Sequence, residues 1–329
     1  MKLYNELIST EEASALINSG NILSISGSEQ TLSNLPKGKW IGGTIPYFMT
    51  KNGGRFDTEM VFVSDLTKIA ADVTIKTYDT KTIYNMPKNN LKNGFTYIII
   101  PGFSDIHTHF AINTPSIEGL MDYPLYGWIS GIDVNKIGED TPKVVNGSTL
   151  KILNNEAICM HVQLHDGLSS SIDIINIFSQ KKDGDILTFE NVGFSCTDCY
   201  VNGIKTNLAN YIKEKNINTQ LPIVADFSGT SINVSLQSVN KTTGVTTFYA
   251  PVQPGIEYRF ASFHDDYLES FNKVLHVNSK DIALSCNCIL NYLYSGLEGK
   301  STGNFHGPIT FGEIAYILVN QTMVYLSIN

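Results

Sequence analysis

Two histidines one residue apart, His107 and His109, and two close cysteine pairs, Cys196 with Cys199 and Cys286 with Cys288, have the types and spacing to hold a metal ion. On an extended strand, residues i and i+2 point the same way about 7 Å apart, so the two imidazoles would converge on one ion. The apolar run Tyr97–Ile100 just before them supplies such a strand. Zinc hydrolysis typically takes about three protein ligands and an open position for water, so the pair needs partners from elsewhere in the chain. His161 and His165, in the alternating run AICMHVQLH, share one strand face but stand about 13 Å apart, which fits a solvated face better than a shared ion. The four paired cysteines are enough for a structural zinc, but their pairs lie far apart in the chain, where such sites usually bring them close. Reduced, buried thiols are the plainer expectation. A redox role would want Cys196 at a helix N-terminus, whereas VGFSCTDCYVNG reads as strand and turn.

The run Pro101–Phe110, PGFSDIHTHF, resembles the metal-binding signature of amidohydrolases, departing from it mainly at Ser104. The resemblance implies a metal-dependent hydrolase with zinc on His107 and His109. It also implies a bridging Lys or Glu, two further His and an Asp, each at the end of its own barrel strand. Asp226 in LPIVADFSG has a strand-end setting, and His264, His276 and His306 remain, but no lysine stands in a matching context. The chain beyond Pro101 is also shorter than the roughly 250 residues of a complete barrel. The zinc hydrolase is therefore the alternative reading.

The elements that must position these residues follow from length, composition and punctuation. At 329 residues the chain exceeds the roughly 100 to 200 of one domain, which predicts two domains or one domain of two similar halves. Hydrophobic residues make up 42% and charged residues 16%, which excludes disorder. The net charge of -8, with no cluster of Lys or Arg, excludes a nucleic-acid partner and an anionic membrane surface. The N-terminus lacks the apolar stretch of a signal peptide, and no run approaches the roughly 18 apolar residues of a membrane span, so a cytoplasmic protein is expected. Five cysteines without a secretion signal fit reduced thiols.

Ser9 with Glu12 forms a capping box that starts a helix before the first strand, and Gly20 can end it. Strand-like runs bounded by Gly, Asn, Asp or Pro then recur at Ile22–Ser26, Trp40–Met49, Met60–Ser64, Val73–Tyr78, Tyr97–Ile100 and Gly127–Val134. The polar stretch Asn135–Ser148 is the candidate boundary between an N-terminal half, residues 1–140, and a C-terminal half, 141–329. Beyond it, strands are expected at Ala157–Leu164, Ile172–Phe178, Pro222–Phe227, Ile232–Val239, Val245–Pro251 and Ile256–Ala261. Helices are expected at Thr206–Lys215, from His264 to about His276, and at Asn287–Leu297. Strands outnumber helices without alternating with them, so the expected class is α+β: mixed, largely antiparallel sheets in two similar halves with helices packed outside.

The C-terminal run Ile282–Ile328 joins a strand ending at Cys286, a helix leading to Glu298, a glycine-bearing loop with His306-Gly307-Pro308, then Gly312-Glu313 and a last strand. This order is similar to the C-terminal part of FIST domains, and Trp40-Ile41-Gly42-Gly43-Thr44 resembles that family's N-terminal strand turn. The Arg that usually follows the cysteine in that family is missing here. The resemblance implies a bacterial, non-enzymatic sensory module without a cofactor, which binds an amino acid or related metabolite and passes its signal to a separate protein. Cys286, Glu298, His306 and Glu313 would be the few polar groups of its pocket, with Gly303, Gly307 and Gly312 allowing close backbone approach. Asp226, a carboxylate in an apolar strand, is a further candidate ligand-binding residue.

Overall fold

Gly94–Pro101 (GFTYIIIP) is buried along its whole length, because a core packs on each of its faces. Such strands read as continuous apolar runs rather than alternating ones. Tyr97 and Ile99 point into one core with Phe48, Trp128 and Met160, while Ile98 and Ile100 point into a second with Phe110, Phe248 and Tyr258. The strand pairs parallel with Leu125–Ser130 and antiparallel with Ala157–Leu164, which pairs in turn with Ala70–Tyr78. Glu313–Ala315 and Ile317–Val319 complete this six-stranded central sheet. These observations come from a computed structural model that describes residues 3–227, 229–262, 266–275 and 282–329.

A second six-stranded sheet lies over the first core, its strands ordered Tyr4–Ile8, Val61–Asp65, Leu23–Gly27, Trp40–Thr44, Val144–Asn146 and Lys151–Leu153. It meets the central sheet at Gly43, where an added Cβ would stand 2.6 Å from the Trp128 ring and 2.7 Å from Ile99. Both neighbours are fully buried and cannot move aside freely. Gly43→Ala is therefore expected to cost about 1–3 kcal/mol by overpacking. Urea unfolding followed by tryptophan emission checks this, because one of the only two tryptophans sits at the contact.

A third sheet orders Ser170–Ile175, Met323–Ile328, Ile282–Cys288, Gly307–Thr310, Tyr47–Thr50 and Gly53–Phe56. A fourth, with strands between Leu187 and Val234 plus Tyr258–Phe260, and a three-stranded sheet of Gly193–Cys196, Val245–Val252 and Leu236–Asn240 cover the second core. Six helices are described: α1 Thr10–Asn18, α2 Glu29–Ser33, α3 Asp105–Asn113, α4 Leu208–Glu214, α5 Tyr267–Leu275 and α6 Ile289–Ser295. Helices α2, α3 and α6 each bridge two neighbouring parallel strands, the three parallel pairs among the described strands. None of the described helices is long and apolar enough to cross a membrane.

The class is thus α+β with several mostly antiparallel sheets. The chain crosses residue 140 in both directions: Val144–Asn146 pairs with Trp40–Thr44, and Gly307 and Pro308 pair with Met49 and Phe48. Pro46 splits the expected strand Trp40–Met49 in two, and each part joins a different sheet. The expected first helix is α1, with both hydrogen bonds of its capping box formed, but a strand, Tyr4–Ile8, precedes it. The helix expected from His264 to His276 is seen as α5, and His264, Asp265 and His276 lie outside the described residues.

Candidate ligand-binding site

The run PGFSDIHTHF is the end of a buried strand and the first turns of α3, not an extended strand through the histidines. Ser104 is the N-cap: its Oγ accepts from His107 N at 3.2 Å and donates to Pro101 O at 2.5 Å. Asn155 holds the next orphan donors, its Oδ1 accepting from Asp105 N at 2.9 Å and Ile106 N at 3.3 Å. On a helix, residues i and i+2 lie about 200° apart, so His107 and His109 diverge. The His107 ring meets Phe194 edge-on at 5.9 Å, whereas His109 meets Tyr84 at 5.5 Å. The expected convergence on one ion is thereby overturned. Among the described residues, no three His, Cys, Asp or Glu side chains gather where they could hold a metal.

His107 instead lines a cavity of about 430 Å³, within the range of small-molecule sites. One wall is the turn into α3, with Gly102, Phe103 and Thr108; another is α6, with Ile289, Leu290 and Leu293. Phe194, Gln237, Phe248 and Tyr249 come from the three-stranded sheet, while Val134, Ile137, Cys288, Phe311 and Asn320 close the remainder. Phe103, Ile137 and Leu293 are exposed and form its mouth. Phe103 reaches this position through a left-handed backbone, φ 61°, and packs edge-on against Phe311 at 5.7 Å.

The polar groups in this wall are unevenly satisfied. His107 Nδ1 accepts from Phe103 N at 3.2 Å, so the neutral ring carries its proton on Nε2, and that buried N–H has no partner. Burial pushes the His107 pKa down to about 4, which keeps the ring neutral at pH 7. Asn320 Oδ1 accepts from Ser235 N at 2.9 Å, which fixes the amide's orientation and leaves its buried Nδ2 without a partner. Burial also raises Tyr249 to about 12 and the Cys288 thiol well above its usual range, so neither is charged. The described lining residues include no Asp, Glu, Lys or Arg.

The residues expected to form a pocket are placed differently. None of Cys286, Glu298, His306, Glu313 and Asp226 lines this cavity. Asp226 is exposed at the end of its strand, where Oδ1 accepts from Gly229 N at 2.6 Å and closes a turn. Glu298 is exposed beyond α6, beside Gly54. His306 Nε2 lies 3.1 Å from Gly303 O in its own loop. Cys286 and Glu313 do come together, but inside the core. Glu313 is fully buried; its carboxylate accepts from Thr322 Oγ1 at 2.8 Å and Thr310 Oγ1 at 3.3 Å. Desolvation pushes its pKa up to about 8 against these hydrogen bonds and one from Cys288, so it is mostly protonated at pH 7.

One further expectation changes, and the cysteine reading holds. His161 does not face solvent: its strand lies between two others in the central sheet, and its ring nitrogens each stand 2.9 Å from Tyr78 Oη and Thr96 Oγ1. That is a satisfied core histidine, while His165 lies just past the strand and is exposed. Cys196 and Cys199 pack at the second core and Cys286 and Cys288 at the first, so the pairs do not meet, and all five cysteines are free.

Comparison with known proteins gives one relationship. Residues 8–329 match a family described as a family of unknown function, DUF6976, and the chain belongs to it. No curated protein and no solved structure matches the chain.

Proposed function

We propose that this member of DUF6976 is a non-enzymatic small-molecule-binding protein of the sensory, FIST-like kind, and that its ligand occupies the cavity between α3 and α6. The observation that carries the reading is the cavity's composition: aromatic and aliphatic walls with a few buried polar groups, two of them short of a hydrogen-bond partner. The helices that flank it each follow a strand of a parallel pair, which places their first turns over the sheet ends where ligands of such units bind. The sensory part of the reading is supported by the order of motifs from Cys286 to Glu313, with a separate protein receiving the signal. A free amino or carboxyl group is not needed for residence in such a site.

A thermal-shift screen of a chemically diverse small-molecule library tests the proposal, run on the wild type and on Leu293→Trp in parallel. Leu293 is 44% exposed and lines the cavity, so tryptophan there narrows the mouth without disturbing the core. Binders present at about 100 times their dissociation constant are expected to add about 2.7 kcal/mol to the wild type and much less to the variant. Equal stabilisation of both proteins by every hit, or no hit at all, would count against the site.

A further inference from the structure

Taking the cavity as the ligand site, which the preceding reading requires, we infer that its ligand class is uncharged aromatic or other apolar molecules bearing a hydrogen-bond acceptor such as a ketone or amide carbonyl. Two buried donors on opposite stretches of chain, His107 Nε2–H on α3 and Asn320 Nδ2–H before the last strand, are unpaired, and each lies on a residue lining the same cavity. Both residues are more than nine-tenths buried, His107 at 8% and Asn320 at 1% exposure. A buried donor without a partner costs about 1–3 kcal/mol; neither nitrogen is open to a water-sized group as the side chains stand, so a ligand's acceptor meets it through a small shift of the ring or amide and then removes that cost, while a hydrocarbon leaves it. The partners of the two residues' other polar atoms, Phe103 N and Ser235 N, set the tautomer of His107 and the amide orientation of Asn320.

The absence of charge among the described lining residues decides the rest. An ammonium would meet two donors and no carboxylate. A carboxylate would meet donors but no cation, since His107 is neutral, and a dry, unpaired anion is costly. A free amino acid would leave both its charges unpaired, so the amino-acid ligand expected from the FIST resemblance fits this cavity poorly. Phe103, Phe194, Phe248, Tyr249 and Phe311 surround the space with rings, which favours a flat or aromatic body.

A matched set built on two phenyl rings tests the inference: benzophenone (carbonyl), diphenylmethane (no acceptor), diphenylacetate (anion) and benzhydrylamine (cation). Dissociation constants are measured by ligand-observed NMR at pH 7 with the full chain. Benzophenone is expected to bind about tenfold more tightly than diphenylmethane, as one neutral hydrogen bond gains, with both ions weaker still. In His107→Phe the benzophenone preference should shrink to about twofold, and His107→Gln, which keeps a donor, should recover part of it. Asn320→Leu gives the same readout from the other donor. Tightest binding of diphenylacetate or benzhydrylamine, or a benzophenone preference that survives both donor substitutions, would overturn the ligand class while leaving the cavity as a site. Failure of all four to bind, diphenylmethane included, would instead overturn the cavity reading and this inference with it.

Discussion

Glu313→Gln is expected to remove the loss of about 1.5–2 kcal/mol of stability that the buried Glu313 carboxyl imposes between pH 6.5 and 8. The buried Glu313 carboxyl has its pKa pushed from 4.5 up to about 8. Between those values the folded protein holds a proton that the unfolded chain has released. Stability is then fully present below the unfolded pKa and is lost as pH rises through the folded one. His107 and His161, held neutral by burial in the fold but still half protonated at pH 6.5 in the unfolded chain, restore about 0.8 kcal/mol over the same range, so the wild type shows a net fall of about 1 kcal/mol. Gln does not titrate and keeps one acceptor oxygen where the carboxyl offers one each to Thr310 and Thr322, so its urea midpoint should no longer fall from pH 6.5 to 8 but rise slightly under the two histidines alone. An unchanged slope in Glu313→Gln would show that this carboxyl does not carry the dependence.

The acid side should behave in the opposite sense and be governed by two histidines. Burial lowers the pKa of His107 from 6.5 to about 4, and burial, with a smaller push from Lys76, does the same to His161. The unfolded chain then binds more protons than the folded one in that window, so the stabilising contribution present above pH 6.5 is lost as pH falls through 4. Each histidine contributes roughly 2–3 kcal/mol to that loss. Down to about pH 4.5 the two together outweigh Glu313, so the wild type should be most stable near pH 6.5. His107→Phe should remove about half of the histidine contribution; it takes the acceptor from Phe103 N but also removes the unpaired Nε2–H, so stability at pH 7 should change little. His161→Leu is different: it strips Tyr78 Oη and Thr96 Oγ1 of a buried partner and should cost about 1–3 kcal/mol at every pH. Urea midpoints at half-unit steps from pH 4.5 to 8 would check both, and an unaltered acid limb in His107→Phe would contradict the burial of that ring.

Much of the strand pattern is readable from the sequence, because apolar runs bounded by turn residues mark strands whichever sheet they join. Ala157–Leu164 is found where expected, as are helix α1 with its Ser9/Glu12 box and helix α4, with Asn207 as its cap. Which face a residue occupies is less readable. His161 alternates with Ile158, Met160 and Val162 as though one face were wet, but strands pair on both edges and cores fill both faces, so alternation carries no sign of solvent. Glu313 is hidden for the same reason: its burial depends on Thr322 nine residues on and on Cys288, reached only through the fold.

The histidine run carries the marks of a helix start. After Pro101-Gly102-Phe103, Ser104 is a strong N-cap residue, Asp105 suits a first turn, and Ile106 with Phe110 sets a helical i, i+4 stripe. Those signals were present beneath the resemblance to a metal signature and identify α3. The cavity itself has no local signature, since its lining comes from separate stretches near residues 102–108, 134–137, 194, 237–249, 288–293 and 311–320. Only the placement of α3 and α6 beside the three-stranded sheet brings them together.

Methyl NMR of the isoleucine-, leucine- and valine-labelled protein during a benzophenone titration tests the central claim most directly. Val134, Ile137, Ile289, Leu290 and Leu293 all line the cavity and would report occupancy through their own resonances. Saturable shifts concentrated on these five residues, and lost in Leu293→Trp, are the predicted result. Saturable shifts centred on other methyls, or none at ligand concentrations up to its solubility, would contradict a small-molecule site between α3 and α6.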